Sequence, residues 1–193
     1  ESGFPATVSF LAPAFNDKRD MNETRIKAID VIVAMNTSLQ QLIPNQVGRF
    51  DDGFNLNCIG DTFQHMNVPT ILFEAGHFQN DYEREQTRKF IFIALLSGIN
   101  YLNENDVVSN KIDDYLKIPQ NKVVFYDFVY KNVKINYDGN EKIINFAAQY
   151  KEVLNQSKID FEARVAQIDN LDNYFGHFTL DAQGERYQDN ESG

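Results

Sequence analysis

The sequence predicts an α/β protein: part of a helix-covered mixed sheet, followed by a small β-rich domain. Three observations carry this. Up to about residue 103, short apolar runs alternate with helix-spaced segments in the order strand, helix, strand, helix. Beyond Asn103-Glu104-Asn105-Asp106 the chain turns to runs of Val, Phe, Tyr and Ile with strand spacing. The composition, 42% hydrophobic and 24% charged with sixteen Phe and nine Tyr, supplies a core and argues against disorder. A boundary at residues 104–110 divides the 193 residues into domains 1–106 and 107–193.

Glu1-Ser2-Gly3-Phe4-Pro5 is polar and turn-like, without the features of a signal peptide. Its abrupt start suggests a fragment or processed product. Residues 6–15 (ATVSFLAPAF) read as a buried strand ending near Pro13. Asn22 is a cap candidate for a helix carrying Ile26, Ile29 and Val33 at helical spacing and ending before Pro44. Residues 45–57 read as a long polar loop, and a short helix is expected at 61–66. Val68-Pro69-Thr70-Ile71-Leu72-Phe73-Glu74-Ala75 is apolar on both faces, as in the central strand of a covered sheet. Asn80 and Glu83 resemble a capping box that launches a helix through Leu102, with Glu85 and Lys89 paired one turn apart. From Phe90 that helix is apolar on nearly every side and is expected to pack deeply.

In the second domain, residues 122–137 read as a strand and Asp138-Gly139 as a hairpin turn. Residues 143–154 fit either strand or helix. Residues 159–168 alternate as a half-buried strand does, and 175–180 form another short strand.

A formal charge of −10 without a Lys/Arg cluster argues against nucleic acid and against an anionic membrane surface as partners. The longest apolar run, Phe90 to Leu96, is too short to span a bilayer. With Cys58 as the one cysteine there is no internal disulfide, which fits a reducing compartment without requiring it; the reading leans towards the cytoplasm.

Glu74 is the leading catalytic candidate. It ends the run Ile71-Leu72-Phe73, at a strand terminus where α/β sheets place reactive groups. The competing reading is a structural carboxylate paired with Arg84 or Arg88. His77 stands three residues on, but Gly76 and the strand end break the helical geometry that a Glu-x-x-His metal pair needs. His65 and His177 are isolated, and Cys58 reads as a buried structural thiol. The loop Gln46-Val47-Gly48-Arg49-Phe50-Asp51-Asp52-Gly53 offers Arg49 to grip a substrate carboxylate and Phe50 to line a pocket. The bland alternative is a surface loop whose charges neutralise one another. No metal-ligand pattern of the H-x-x-E or H-E-x-x-H kind occurs.

Gly60-Asp61-Thr62-Phe63, Val68 to His77 and Asn80-Asp81-Tyr82-Glu83-Arg84-Glu85 together resemble the end of a zinc carboxypeptidase domain, in the bacterial branch related to carboxypeptidase A. Ser9-Phe10-Leu11-Ala12-Pro13 and Cys58-Ile59-Gly60-Asp61 fit the same picture, and the similarity covers about the first hundred residues. The resemblance implies that Glu74 is the general base acting on zinc-bound water in hydrolysis of C-terminal peptide bonds. It also implies zinc ligands, two histidines and a glutamate, from a preceding part of the domain. This chain has no H-x-x-E and no histidine before Ser9. The zinc-ligand half is then a missing partner, no metal is expected at a catalytic site here, and the isolated chain is expected to be inactive. Phe50 lies where the family carries an aromatic that closes over the peptide substrate, but lacks a phenolic hydroxyl. Two other functions fit the chain: a protein- or glycan-binding module on a peptidase-like scaffold, and a zinc amidase or deacylase of the same fold.

Overall fold

The computed structural model describes residues 4–106, 108–137, 139–168 and 170–186. Helices and two mixed sheets make up the chain, in agreement with the α/β reading and the sheet-rich C-terminal region. Glu1, Ser2 and Gly3 of the turn-like start, and Asp138 of the expected hairpin turn, lie outside the described residues. The chain forms two compact units, Glu1–Val123 and Val124–Gly193.

The first unit runs β1 (Val8–Leu11), α1 (Glu23–Gln40), β2 (Val47–Arg49), α2 (Ile59–His65), β3 (Leu72–Ala75), α3 (Glu85–Glu104) and α4 (Ile112–Lys117). All four residues of β1 are buried, and it is the middle strand of the order β2-β1-β3. β2 pairs with it in parallel and β3 antiparallel. The expected central strand is therefore an edge strand, with Leu72 and Ala75 exposed. An apolar run alone does not say which strand has neighbours on both sides. β2, inside the expected loop, exists because Thr7 and Val8 donate to the Gln46 carbonyl and Arg49 donates to the Pro119 carbonyl at 2.7 Å. Those partners are remote in sequence.

Asn22 caps α1 as read, its side chain accepting from the Arg25 amide at 3.0 Å. Ala28, Ile29, Ile32, Met35 and Leu39 form the buried stripe that covers Val8 and Phe10. α3 crosses α1 at Gly98, where a Cβ would stand 3.1 Å from Met35 Sδ and 3.2 Å from Val31 Cγ1. A glycine there allows the two helices to approach closely. α3 starts later than the sequence suggested. Asn80 and Arg84 turn the chain at positive φ, and Asp81, not an Asn80–Glu83 box, satisfies the first turn. Its carboxylate accepts from the Gln86 and Thr87 amides at 3.1 and 2.9 Å and from the Thr87 hydroxyl at 3.0 Å. Burial opposes ionisation of Asp81, but these donors hold its carboxyl below the usual range. Glu85 pairs with Arg88, not with Lys89.

Deep packing of α3 is realised on one side only. Phe90, Ala94 and Gly98 are buried, while Phe92, Leu95, Leu96, Ile99 and Leu102 form an exposed stripe. The unit also extends past the expected boundary at 104–110. Asp30 of α1, itself buried, accepts from the Ser109, Asn110 and Lys111 amides, and Tyr115 of α4 is buried against the same core.

The second unit is an antiparallel meander of β4 (Phe125–Tyr137), β5 (Asn140–Asn155) and β6 (Lys158–Ile168), with β7 (Phe175–Asp181) parallel to β4. The segment at 143–154, open between strand and helix, is strand. The order is β6-β5-β4-β7. Val129 and Ala147, opposite one another, pack with Tyr126, Leu171 and Tyr174 into a small core. β6 alternates as expected but is exposed along almost its whole length instead of half-buried.

Candidate functional site

Glu74 stands on β3, opposite Ser9 of β1, which is in turn opposite Gly48 of β2. Residues directly across a sheet share a face, so these three form one row. The next row is Arg49, Phe10 and Phe73. Phe10 and Phe73 meet edge to face at 5.2 Å within the core beneath α1 and α3. Glu74 therefore projects from the face opposite the helices.

The strand end that carries Glu74 is held by backbone geometry. The Gly76 amide donates to the Thr7 carbonyl at 2.9 Å. A Cβ on Gly76 would lie 2.1 Å from the Ala6 carbonyl oxygen, closer than any side chain tolerates. The Thr7 hydroxyl bonds Gln46 Oε1 at 3.1 Å and the His77 carbonyl at 3.0 Å, linking the ends of β2 and β3. Glu74 itself is half-buried. Among the described residues no hydrogen bond or ion pair engages its carboxylate. The two cations considered as structural partners are committed elsewhere: Arg84 Nη2 donates to the Ala75 carbonyl at 2.7 Å, and Arg88 pairs with Glu85.

Arg49 is not brought to Glu74. It shares the helix-side face with Phe10, where its guanidinium lies 5.3 Å from the centre of the Tyr115 ring and its Nε donates to the Ile118 carbonyl at 3.4 Å. Its visible task is to hold α4 against β2. Phe50 follows on the other face. Its amide continues the ladder by donating to the Phe10 carbonyl at 2.9 Å, and its ring is exposed. By the same alternation Phe50 falls on the face of Glu74, offset from it by two strand spacings of roughly 5 Å each and by two residues, roughly 7 Å, along the strands.

Asp51 and Asp52 do not pair with Arg49 either. Asp52 takes Arg25 Nη2 at 2.5 Å and Arg19 Nη1 at 3.1 Å. Arg25 is fully buried and also donates to the Ala12 carbonyl at 3.2 Å and the Arg19 carbonyl at 2.9 Å. Burial opposes ionisation of Asp52, yet the Arg25 hydrogen bond and the two positive charges keep its carboxyl below the usual range. This buried pair was overlooked in the sequence, although Arg25 stands one turn before Ala28 and Ile29 on the apolar stripe of α1.

The histidines are dispersed. His65 Nδ1 lies 3.0 Å from the Phe15 carbonyl and its ring packs with Phe15 and Phe54. His177 meets Phe125 edge to face at 4.9 Å, and His77 lies beyond the end of β3. Cys58, expected as a buried thiol, is exposed, because it occupies the cap position before α2 at the end of the 55–57 turn. Among the described residues there is no group of three or more His, Cys, Asp or Glu side chains placed to hold a metal ion. Among the described residues no helix is long and apolar enough to cross a membrane. Comparison with protein-family models, curated proteins and solved structures yields no match.

Proposed function

We propose that the first unit carries the proton-transfer carboxylate of a zinc-dependent peptidase that removes C-terminal residues, with Glu74 in that role. The observation that supports this reading most is the state of Glu74. It is a half-buried carboxylate at a strand end braced by Gly76 and Thr7, with no engagement to Arg84 or Arg88. A structural carboxylate at this position would be expected to take one of those cations. A general base instead needs its lone pairs free and its strand fixed.

In this reading Glu74 takes a proton from the water that attacks the scissile carbonyl and delivers it to the leaving amine nitrogen. Phe50, on the same face, supplies an apolar wall for the substrate. Zinc would polarise the carbonyl and acidify the water, and its ligands would have to come from residues other than those described. Arg49 is left out of the site because it lies across the sheet. The exposed stripe on α3, together with the open edge of β3, is consistent with further polypeptide packing here.

The test is zinc content and hydrolysis of a panel of blocked dipeptides and acylated amines, for this chain and for a longer protein containing it. Zinc with dipeptide cleavage in the longer protein alone is the expected result. Cleavage of acyl-amines but not dipeptides would replace the peptidase by an amidase. Zinc and activity in neither would remove the enzymatic reading.

A further inference from the structure

The second unit has a bare apolar face, and we infer that it is a self-association surface on which a second copy of the chain packs sheet to sheet. Two rows cross all four strands on this side. One is Leu180, Tyr130, Phe146 and Ile168; the next is Phe178, Phe128, Ala148 and Val165. Ring contacts bind them into a single surface: Tyr130 stacks on Phe146 at 4.9 Å, and Phe128 meets Tyr150 edge to face at 5.0 Å.

Two bulges keep this face apolar. Between Tyr130 and Val133 the register of β4 against β5 shifts by one residue, with Asn132 at φ 53°. Regular alternation from Tyr130 would bring Asn132 and Lys134 to this side. The extra residue brings Val133 and Ile135 instead, beside Ile144. β6 repeats the device. Its pairing with β5 skips Ala166, so Val165 and Ile168 share the face while Gln167 turns away. Two independent corrections that preserve one apolar surface indicate a face that is used.

Its relief favours a copy of itself as occupant. One region is a hollow of about 840 Å³ lined by Phe128, Tyr130, Ile144, Phe146, Val165 and Ile168 among others. The other region projects: Leu154, Ile159 and Phe161, at the β5–β6 hairpin end, are 78%, 62% and 61% exposed and take no part in the hollow. A twofold axis standing between the two regions seats each projection in the partner's hollow, which is the self-complementarity a symmetric dimer requires. Sheets packed in this way lie about 10 Å apart with interdigitating side chains. The eight most exposed apolar side chains of the face offer on the order of 800 Å² per copy, the share each partner gives to a standard interface.

The experiment is sedimentation velocity on the full 193-residue chain over a range of concentrations. The expected species is a dimer of the 22.2 kDa chain. Val165→Lys and Phe161→Lys, both at exposed positions, should weaken it about a hundredfold or more while the circular dichroism spectrum is kept. Ile99→Lys, on the α3 stripe, should leave it intact. Hydrogen exchange of the unaltered chain gives a readout that needs no variant, with protection in 128–135 and 159–168 rising with concentration. A monomer at every concentration, or a dimer broken by Ile99→Lys and not by Val165→Lys, overturns the inference and assigns the sheet face to a different molecule.

Discussion

The two sheets of this molecule reverse the usual relation between strand length and burial. In the first unit the strands are three or four residues long, yet β1 is buried throughout, because α1 and α3 lie over one face and hold Val8 and Phe10. In the second unit the strands run from seven to sixteen residues, and most of β6 is exposed. Hydrogen-bonded length makes a sheet, but a second layer makes a core. The first unit has that layer in two long helices; the second has only the short segment carrying Leu171 and Tyr174 packed against its sheet.

The largest expected effect tests the buried polar tie within the helix-covered unit. Arg25→Ala leaves Asp52 without its main partner and is expected to cost about 3–5 kcal/mol, read by chemical denaturation. The pH dependence has a definite sign. Asp52 is held below the ordinary carboxylate range, so its contribution is fully present above that range and is lost as pH falls through the depressed value. The variant should therefore show a flatter acid limb than the wild type.

Phe10→Ala, which removes a fully buried ring from beneath the helices and from Phe73, is expected to cost about 3–4 kcal/mol by the same measurement. Gly76→Ala should cost about 2 kcal/mol, since the Ala6 carbonyl must move to admit a Cβ. At the small end, Ile168→Thr on the bare sheet face should change the stability of dilute protein by less than about 0.5 kcal/mol. A large loss there would show that the face is packed within one chain, and the contrast between the sheets would fail.

Much of the first unit was legible. Asn22 and the stripe from Ile29 to Leu39 announce α1, and Val8 to Leu11 reads as a buried strand because it is one. What escaped has a common cause: the deciding partner is distant in sequence. β2 depends on Gln46 meeting Thr7 and on Pro119 meeting Arg49. Without β2 the alternation of its side chains was invisible, and Arg49 and Phe50 read as neighbours in one loop, although the strand register turns Arg49 to the side of Phe10. β3 looked central because its residues are apolar, but apolarity does not count neighbours. β6 alternated correctly, yet period two reports which side chains share a face and nothing about what covers them. The β4–β5 connection and the start of α3 differ in the same way. The antiparallel pairing of β4 with β5 is local, with Gly139 at φ 78°, whereas the capping by Asp81 depends on Arg84 reversing the chain first.

Glu74 was legible as a carboxylate closing an apolar run. Its freedom from Arg84 and Arg88 was not, because either side chain could reach it from sequence spacing alone. The functional account rests on that freedom. The most direct test is the kinetics of Glu74→Gln in a longer, zinc-containing protein that includes this chain. The account predicts a fall in kcat of about a hundredfold or more with KM, zinc content and unfolding midpoint unchanged. Unaltered kcat would contradict it, and a fall in kcat accompanied by lost stability would return Glu74 to a structural role.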